Sequence, residues 1–313
     1  MKKIAVLLAS YNGEKYIEEQ LDSLNRQTYQ NFICFIHDDG STDATNQIID
    51  KYCKEYPDKF KKIIAPGTGG AKYNFMFLLN HVDQSFDYYM FCDQDDVWLP
   101  TKIKKTLDFM ESTNKNVESP CLVYCDMKVV NQDLDVVDES FLKYNHLDTD
   151  KITLDRAIMK PFAAGCSMMI NKSLANMSHI CNAENIVMHD WWLMIIAASS
   201  GSIKKIPESL SLYRQHGNNT LGAQKITTMS KVAERLKRIV TFQQVKVTKN
   251  GFAIRMNQLS ECKNIEKVYG QNKELIDFSL NYKNCSKIKK CKLIVKYGLY
   301  QNTWSKFWTC LWV

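Results

Sequence analysis

Residues 88–100 read Tyr-Tyr-Met-Phe-Cys-Asp-Gln-Asp-Asp-Val-Trp-Leu-Pro, an apolar run with the pattern of a buried strand that stops abruptly at Asp93, Asp95 and Asp96. Ionised carboxylates at a buried strand end cost several kcal/mol each unless a partner neutralises them. A hard divalent cation is one such partner: Mg²⁺ or Mn²⁺ is held by one or two protein carboxylates together with the oxygens of a substrate diphosphate. The run is then a candidate nucleotide-sugar site. The other reading is an acidic turn that caps a helix starting at Thr101, since acidic residues favour helix N-termini. Spacing alone leaves both open.

The same strand pattern recurs upstream. Residues 4–9 form a first apolar run, after which Tyr16, Ile17, Leu21 and Leu24 return at helical spacing. Residues 32–37 form a second. The turn Asp38-Asp39-Gly40-Ser41-Thr42-Asp43 then leads into a helix carrying Ala44, Ile48, Ile49 and Tyr52. A third strand is expected over residues 62–65, and beyond Gly67-Thr68-Gly69-Gly70 a helix carries Phe75, Met76, Leu78, Leu79 and Val82. This alternation predicts an α/β fold, a doubly wound and mostly parallel sheet flanked by helices, with ligands at the carboxyl ends of its strands. Each polar loop named above lies at such an end. Further on, residues 122–130, 164–170 and 206–213 read as strands and residues 190–199 as an apolar helix. From about Lys225 the pattern is Lys-rich and helical.

Charge divides the chain of 313 residues. Residues 1–200 carry 20 Lys and Arg against 28 Asp and Glu, whereas residues 201–313 carry 21 against 6. The basic part suits an anionic surface, whether lipid headgroups, a polyphosphate or nucleic acid. The eleven cysteines include no Cys-x-x-Cys pair, and several fall in apolar runs, a pattern of reduced buried thiols in a cytosolic protein. The apolar start is too short for a signal peptide and reads as a strand, and no uncharged apolar run is long enough to span a bilayer.

Ser10-Tyr11-Asn12-Gly13 stands after the first strand where dinucleotide binding requires G-x-G-x-x-G, which disfavours hydride transfer. A carboxylate beside Gly40 can accept the N3–H of a uracil or thymine ring. Helix capping is the other role open to that loop, expected more of Ser41 and Asp43 than of Asp39. Three loops, Ala9-Ser10-Tyr11-Asn12-Gly13, Asp38 to Asp43, and Asp93 to Asp96 followed by Trp98-Leu99-Pro100, resemble the nucleotide-sugar loops of family 2 glycosyltransferases of the GT-A fold. The resemblance runs through residues 1–222. Three stretches look like those of bacterial rhamnosyltransferase-type members that build surface polysaccharides: Asp93 to Pro100, His189-Asp190-Trp191-Trp192, and Tyr213-Arg214-Gln215-His216-Gly217-Asn218-Asn219.

This resemblance implies roles. Asp39 would contact the base, with Ser10 and Tyr11 lining the nucleoside pocket. Asp93 would sit near the ribose or donor sugar, and Asp95 would contact Mn²⁺ or Mg²⁺, joined by His216 on the metal or the diphosphate. Lys72 and Asn74 fall near the diphosphate or donor sugar, although relatives often have Arg where Lys72 stands. Asp190 aligns with the catalytic base, and an N-cap of its own helix is a role that can coexist with it. Trp98, Trp191 and Trp192 are expected as walls, and stacking of one of them on an acceptor sugar stands beside the commoner role of large aromatics next to apolar residues, core packing.

The expected reaction is inverting transfer, first choice rhamnose from dTDP-rhamnose, to a surface polysaccharide or lipid-linked glycan. A UDP-hexose donor is the alternative. Residues 1–222 would form the catalytic domain and 223–313 a helical, basic extension. There Lys287, Lys289, Lys290, Lys292 and Lys296 precede Tyr297, Tyr300, Trp304, Trp308 and Trp312, a composition suited to peripheral docking on the inner membrane face or to pairing with a second copy. A nucleotidyltransferase would need a Gly-rich basic loop after the first strand. A nucleic-acid binder would rest on the basic segment alone, so nucleic acid is not expected as a partner. A non-catalytic nucleotide-sugar or polyanion-binding protein is the remaining class.

Overall fold

The structure, a computed structural model, describes residues 1–147, 152–216, 243–300 and 303–313. They belong to two compact units. One is formed by Met1–Thr149, Phe162–His179 and Gly201–Ala223, the other by Asp150–Pro161, Ile180–Ser200 and Gln224–Val313.

In the first unit, β1 (Ile4–Ser10), α1 (Ile17–Asn25), β2 (Phe32–Asp38), α2 (Thr45–Glu55), β3 (Phe60–Lys62), α3 (Ala71–His81) and β4 (Tyr88–Asp93) follow the expected alternation. Their strands are parallel, in the spatial order β3-β2-β1-β4. Ile4 to Leu8 are buried without exception, as strands covered on both faces require. Next come β5 (Val97–Trp98), α4 (Lys102–Thr113), β6 (Cys121–Val130), β7 (Val136–Asp138) and α5 (Phe141–Tyr144). After α6 (Leu154–Met159), which belongs to the second unit, the sheet is completed by β8 (Met168–Asn171), followed by α7 (Lys172–Ser178), and, after α8 (His189–Ser200), by β9 (Ser202–Arg214). The sheet order is β3-β2-β1-β4-β8-β6-β9-β5, with β7 on β6. Antiparallel pairing enters where β8 joins β4 to β6, and β9 runs parallel to β6. The α/β architecture, with helices flanking a largely parallel sheet, is the expected one.

Register aligns the polar strand ends. Ala9 pairs with His37 on one side and Asp93 on the other, and Ser10 pairs with Asp38. The third strand differs from expectation, at Phe60–Lys62 rather than 62–65. Phe60 is its buried anchor, while Ile64 is 91% exposed and so has no core to enter. Within residues 164–170, Gly165–Ser167 is a single 3₁₀ turn and the strand starts at Met168.

The second unit is helical among its described residues: α6, α8, α9 (Gln243–Ser260), α10 (Glu266–Asn281), α11 (Lys287–Lys296) and α12 (Thr303–Trp312). In α8 the residues Trp192 to Ala197 are all buried, as an all-round apolar helix requires, and the helix packs on α6 and α10. A kink at Asn272 breaks α10, and the Asn272 amide donates to the Ser199 and Val268 carbonyls. No described helix is long and apolar enough to cross a membrane. Residues 217–242, including Gly217 to Asn219 of the motif and the start of the basic segment, lie outside the described residues.

Candidate active site

Loops at the carboxyl ends of β1, β2 and β4 are tied together by side chains. Gln94 joins two of them: Tyr11 N donates to its Oε1 (2.8 Å) and its Nε2 donates to Tyr11 O (2.9 Å). Gly13 leaves the space this needs, since a Cβ there would lie 2.2 Å from Gln94 Oε1. Asn12, at a positive φ of 48°, donates its N–H to Ser41 Oγ and accepts from Thr42 N. Asp43 accepts from Thr45 N and from Glu14 N, whereas the N-cap position of α2 is Ala44, which makes no side-chain cap bond.

Buried Asp38 accepts from Ser10 Oγ (3.0 Å), Ser41 N (2.8 Å) and Asn46 Nδ2 (2.7 Å). Burial by itself would raise this carboxyl, but the hydrogen bonds outweigh it and hold the group below its ordinary range. Ser10 therefore serves Asp38 from beneath, whereas the Tyr11 side chain is exposed at the edge of the loops.

Asp39 bonds to its own chain. Its carboxylate accepts from Thr68 N, Thr68 Oγ1 (2.8 Å), Gly69 N (3.1 Å) and Gly70 N (2.7 Å). Burial opposes the charge, and these donors win, so the carboxyl is again held low. The turn needs glycine, because Gly69 and Gly70 adopt φ of 88° and 137°. Beyond it, Lys72 Nζ lies over the Tyr73 ring, 4.4 Å from the centroid. Asn74 is corrected by the structure. It is buried, with Oδ1 2.8 Å from His37 Nδ1 and Nδ2 donating to His37 O, so it ties α3 to β2 and presents no amide to a ligand.

The acid loop is organised by β9. Asp95 Oδ2 lies 2.8 Å from His216 Nε2, and the His216 ring packs against Tyr16 at 4.8 Å. Arg214, buried, sends Nε to Asp95 O (2.9 Å), Nη1 to Gln132 O and Nη2 to the Glu19 carboxylate, and its guanidinium sits 4.6 Å from the Tyr16 ring. Its backbone N–H donates to Asp96 Oδ1 (3.2 Å). Asp93, half-buried, ends β4. Burial, then the charges of Asp95 and Asp93, push the Asp96 carboxyl well above its usual range. Lys102 is entirely buried under the loop, donating to Cys166 O (2.6 Å) and Ser211 Oγ (3.2 Å) with Nζ 4.0 Å from the Trp98 ring centroid. The capping reading of the acids does not hold, because the N-cap of α4, Thr101, makes no side-chain cap bond and the first turn contains no acid.

Asp190 belongs to the second unit, as the second residue of α8. It is half-buried, and Oδ1 accepts from Trp191 N (2.6 Å). Trp191 Nε1 donates to Ala157 O (2.5 Å). Trp98 and Trp192 are core residues with no face for a sugar, the packing role more often taken by large aromatics beside apolar residues. Sequence reasoning passed over Gln94, Lys102 and Arg214. Gln94 sits inside the acid motif and Arg214 inside the His216 motif, so only their bonding partners were unread.

Residues 5–176 match the family model described as Glycosyl transferase family 2. The dTDP-rhamnosyl transferase RfbG of Shigella flexneri is 34% identical over 230 residues, which is 69% of this chain and 74% of that protein. Among solved structures, S. aureus TarS 1-349 in complex with UDP-GlcNAc matches with a TM-score of 0.55 at 18% identity, over 96% of this chain and 93% of that one. The chain spans about half, 52%, of a longer TarS chain. Mannosyltransferase PcManGT from Pyrobaculum calidifontis, in complex with GDP-Man and Mn2+, matches with a TM-score of 0.50 at 16% identity, over 98% and 83%. The structural likenesses establish a GT-A type fold.

Proposed function

The chain belongs to glycosyl transferase family 2, and we propose that it is an inverting, divalent-cation-dependent hexosyltransferase that extends a surface polysaccharide or lipid-linked glycan. The observation that carries this reading is the set Asp93, Asp95 and Asp96 at the end of a parallel strand, with His216 on Asp95. Carboxylate oxygens and one imidazole nitrogen suit Mn²⁺ or Mg²⁺, with Asp95 and His216 as the holding residues. When bound, the ion would stabilise negative charge on the departing diphosphate. The Mn2+ in the mannosyltransferase complex supports this choice.

Asp39 would accept the N3–H of the base in exchange for the amides of residues 68–70. Tyr11 would border the nucleoside, with Ser10 bracing the loop through Asp38. Asp93 would face the ribose or sugar, and Lys72 would add positive charge near the diphosphate, on a helix that Asn74 anchors. Asp190 would take the proton of the acceptor hydroxyl as it attacks the anomeric carbon and the nucleoside diphosphate leaves from the opposite face. The name of RfbG makes dTDP-rhamnose the first donor to try, and the TarS complex makes UDP-hexoses the second.

Residues 1–222 would act as the catalytic domain. Residues 223–313 would dock the enzyme from the cytoplasm on the inner membrane face, where a lipid-linked acceptor is presented, or pair it with a second copy. The test is diphosphate release from a panel of dTDP-, UDP- and GDP-sugars with Mn²⁺, Mg²⁺ or EDTA. Release from one donor, abolished by EDTA, is expected. Absence of both release and binding for every donor, with metal present, would return the chain to the binding-protein class.

A further inference from the structure

Beyond the proposed catalytic residues, the second unit brings together two cysteines of neighbouring helices. One stripe of α11 meets the end of α12: Lys287 Nζ donates to Leu311 O (2.7 Å), Lys290 Nζ to Val313 O (3.0 Å) and the Cys291 thiol to Cys310 O (3.2 Å). Residues 287, 290 and 291 share a helix face, the latter two lying three and four positions after the first, and the two lysine bonds pin that face where the cysteines meet. Both thiols are half-buried, unlike the wholly enclosed Cys34, Cys92 and Cys262, so a small reagent in solvent reaches them. Burial, then the charge and hydrogen bond of the adjacent Cys291 thiol, push the Cys310 thiol above its ordinary value, with Lys306 opposing. A disulfide requires a Cβ–S–S–Cβ bridge with a sulfur–sulfur bond of about 2.05 Å. Because the Cys291 sulfur already touches the backbone of its partner residue, rotation about the χ1 angles brings the two sulfurs to that bond without separating the helices.

We propose that Cys291 and Cys310 are a reversible disulfide site that locks α12 onto α11, formed by exchange with a low-molecular-weight disulfide of the glutathione type. The Cys291 thiolate attacks one sulfur of the small disulfide, which makes a mixed disulfide and releases one small thiol. Cys310, the more firmly protonated partner, then gives up its proton and attacks the Cys291 sulfur, releasing the second small thiol. Two electrons pass from the cysteine pair to the small disulfide, and the two thiol protons end on the thiols released. The new bond closes a loop over residues 292–309 and restricts the unfolded chain more than the folded one, which stabilises the paired helices. In the reduced state α12 is held by packing and by polar bonds such as those of Lys287 and Lys290. The redox state of the pair therefore sets how readily α12 leaves α11.

The test equilibrates the reduced full chain with glutathione disulfide and glutathione, quenches in acid, alkylates the remaining thiols and maps them by mass spectrometry. Wild type should lose two alkylatable thiols, and the peptides carrying Cys291 and Cys310 should be joined within one chain. Cys285→Ser should keep the bridge, whereas Cys310→Ser should stop at a glutathione adduct on Cys291. Free Cys291 and Cys310 thiols at every glutathione ratio, a bridge from either to another cysteine, or a bridge between two chains would overturn the site. Because the mapping is made on wild type, misfolding of a variant leaves the assignment decided. Oxidised wild type should also be cut by chymotrypsin beside the exposed Phe307 roughly threefold or more slowly than the reduced protein, and equal rates would overturn the lock.

Discussion

Asp190 meets two demands with one side chain. At the start of α8 it accepts the Trp191 N–H, and the proposed reaction needs it to accept a proton from the acceptor. Asn offers an amide oxygen to the same Trp191 N–H but cannot act as a base. Asp190→Asn should therefore lower turnover about 10²- to 10⁴-fold while leaving donor affinity and melting temperature nearly unchanged. A parallel loss of all three, read by kinetics, calorimetry and thermal melts, would mark a purely structural role. Residues of this kind were readable because each carboxylate of Asp93, Asp95 and Asp96 interrupts an otherwise apolar run. Asn74 misled for a local reason: it lies one turn before the buried Leu78, so the helical period that identified α3 also turns Asn74 inward. Arg214 was not readable as an organiser, because its acceptors on Asp95, Gln132 and Glu19 are distant in sequence.

Among the elements, α8 shows how burial sets pH behaviour. His189 is wholly buried at its start, and burial pushes its pKa down to about 3 from an ordinary value of about 6.5. The folded state thus favours neutral His189 and the unfolded state takes up the proton first. Its contribution is complete above about pH 6.5 and is lost progressively as pH falls toward 3. Melting temperature should drop between pH 7 and pH 4.5, and the drop should be shallower in His189→Phe. Equal slopes would show that other groups govern the acid response. β1, β2 and β4 were legible because each carries a continuous apolar run, buried on both faces in β1 and β4 and half-buried at Ile33 and Phe35 in β2. β3 was not, since a three-residue edge strand carries little more signal than one anchor, Phe60.

At the scale of the whole molecule, the net charges of −8 over residues 1–200 and +15 over residues 201–313 are the feature sequence reads best. The structure refines which basic groups of the tail can meet a surface. Lys287 and Lys290 donate to the Leu311 and Val313 carbonyls and Lys296 pairs with Glu274, while Lys289, Lys292, Phe307 and Leu311 are exposed. With about 1 kcal/mol for each lysine near an anionic leaflet, pelleting with anionic vesicles is expected, weakened by Phe307→Ser with Leu311→Ser and by about 1 M salt. Intact protein that stays in the supernatant at low salt would contradict docking. The joining of Asp150–Pro161 and Ile180–Ser200 to the C-terminal helices had no local signal, because it depends on packing between segments far apart in the chain.

The central claim, that Asp95 organises a cation for a nucleotide-sugar donor, is tested most directly by calorimetric titration of dTDP-rhamnose and UDP-sugars into wild type and Asp95→Ala, with Mn²⁺ and with EDTA. One donor should bind wild type at least tenfold more tightly with Mn²⁺, and Asp95→Ala should lose that gain while keeping its fold. Binding equally tight with EDTA, or unchanged in Asp95→Ala, would contradict the claim.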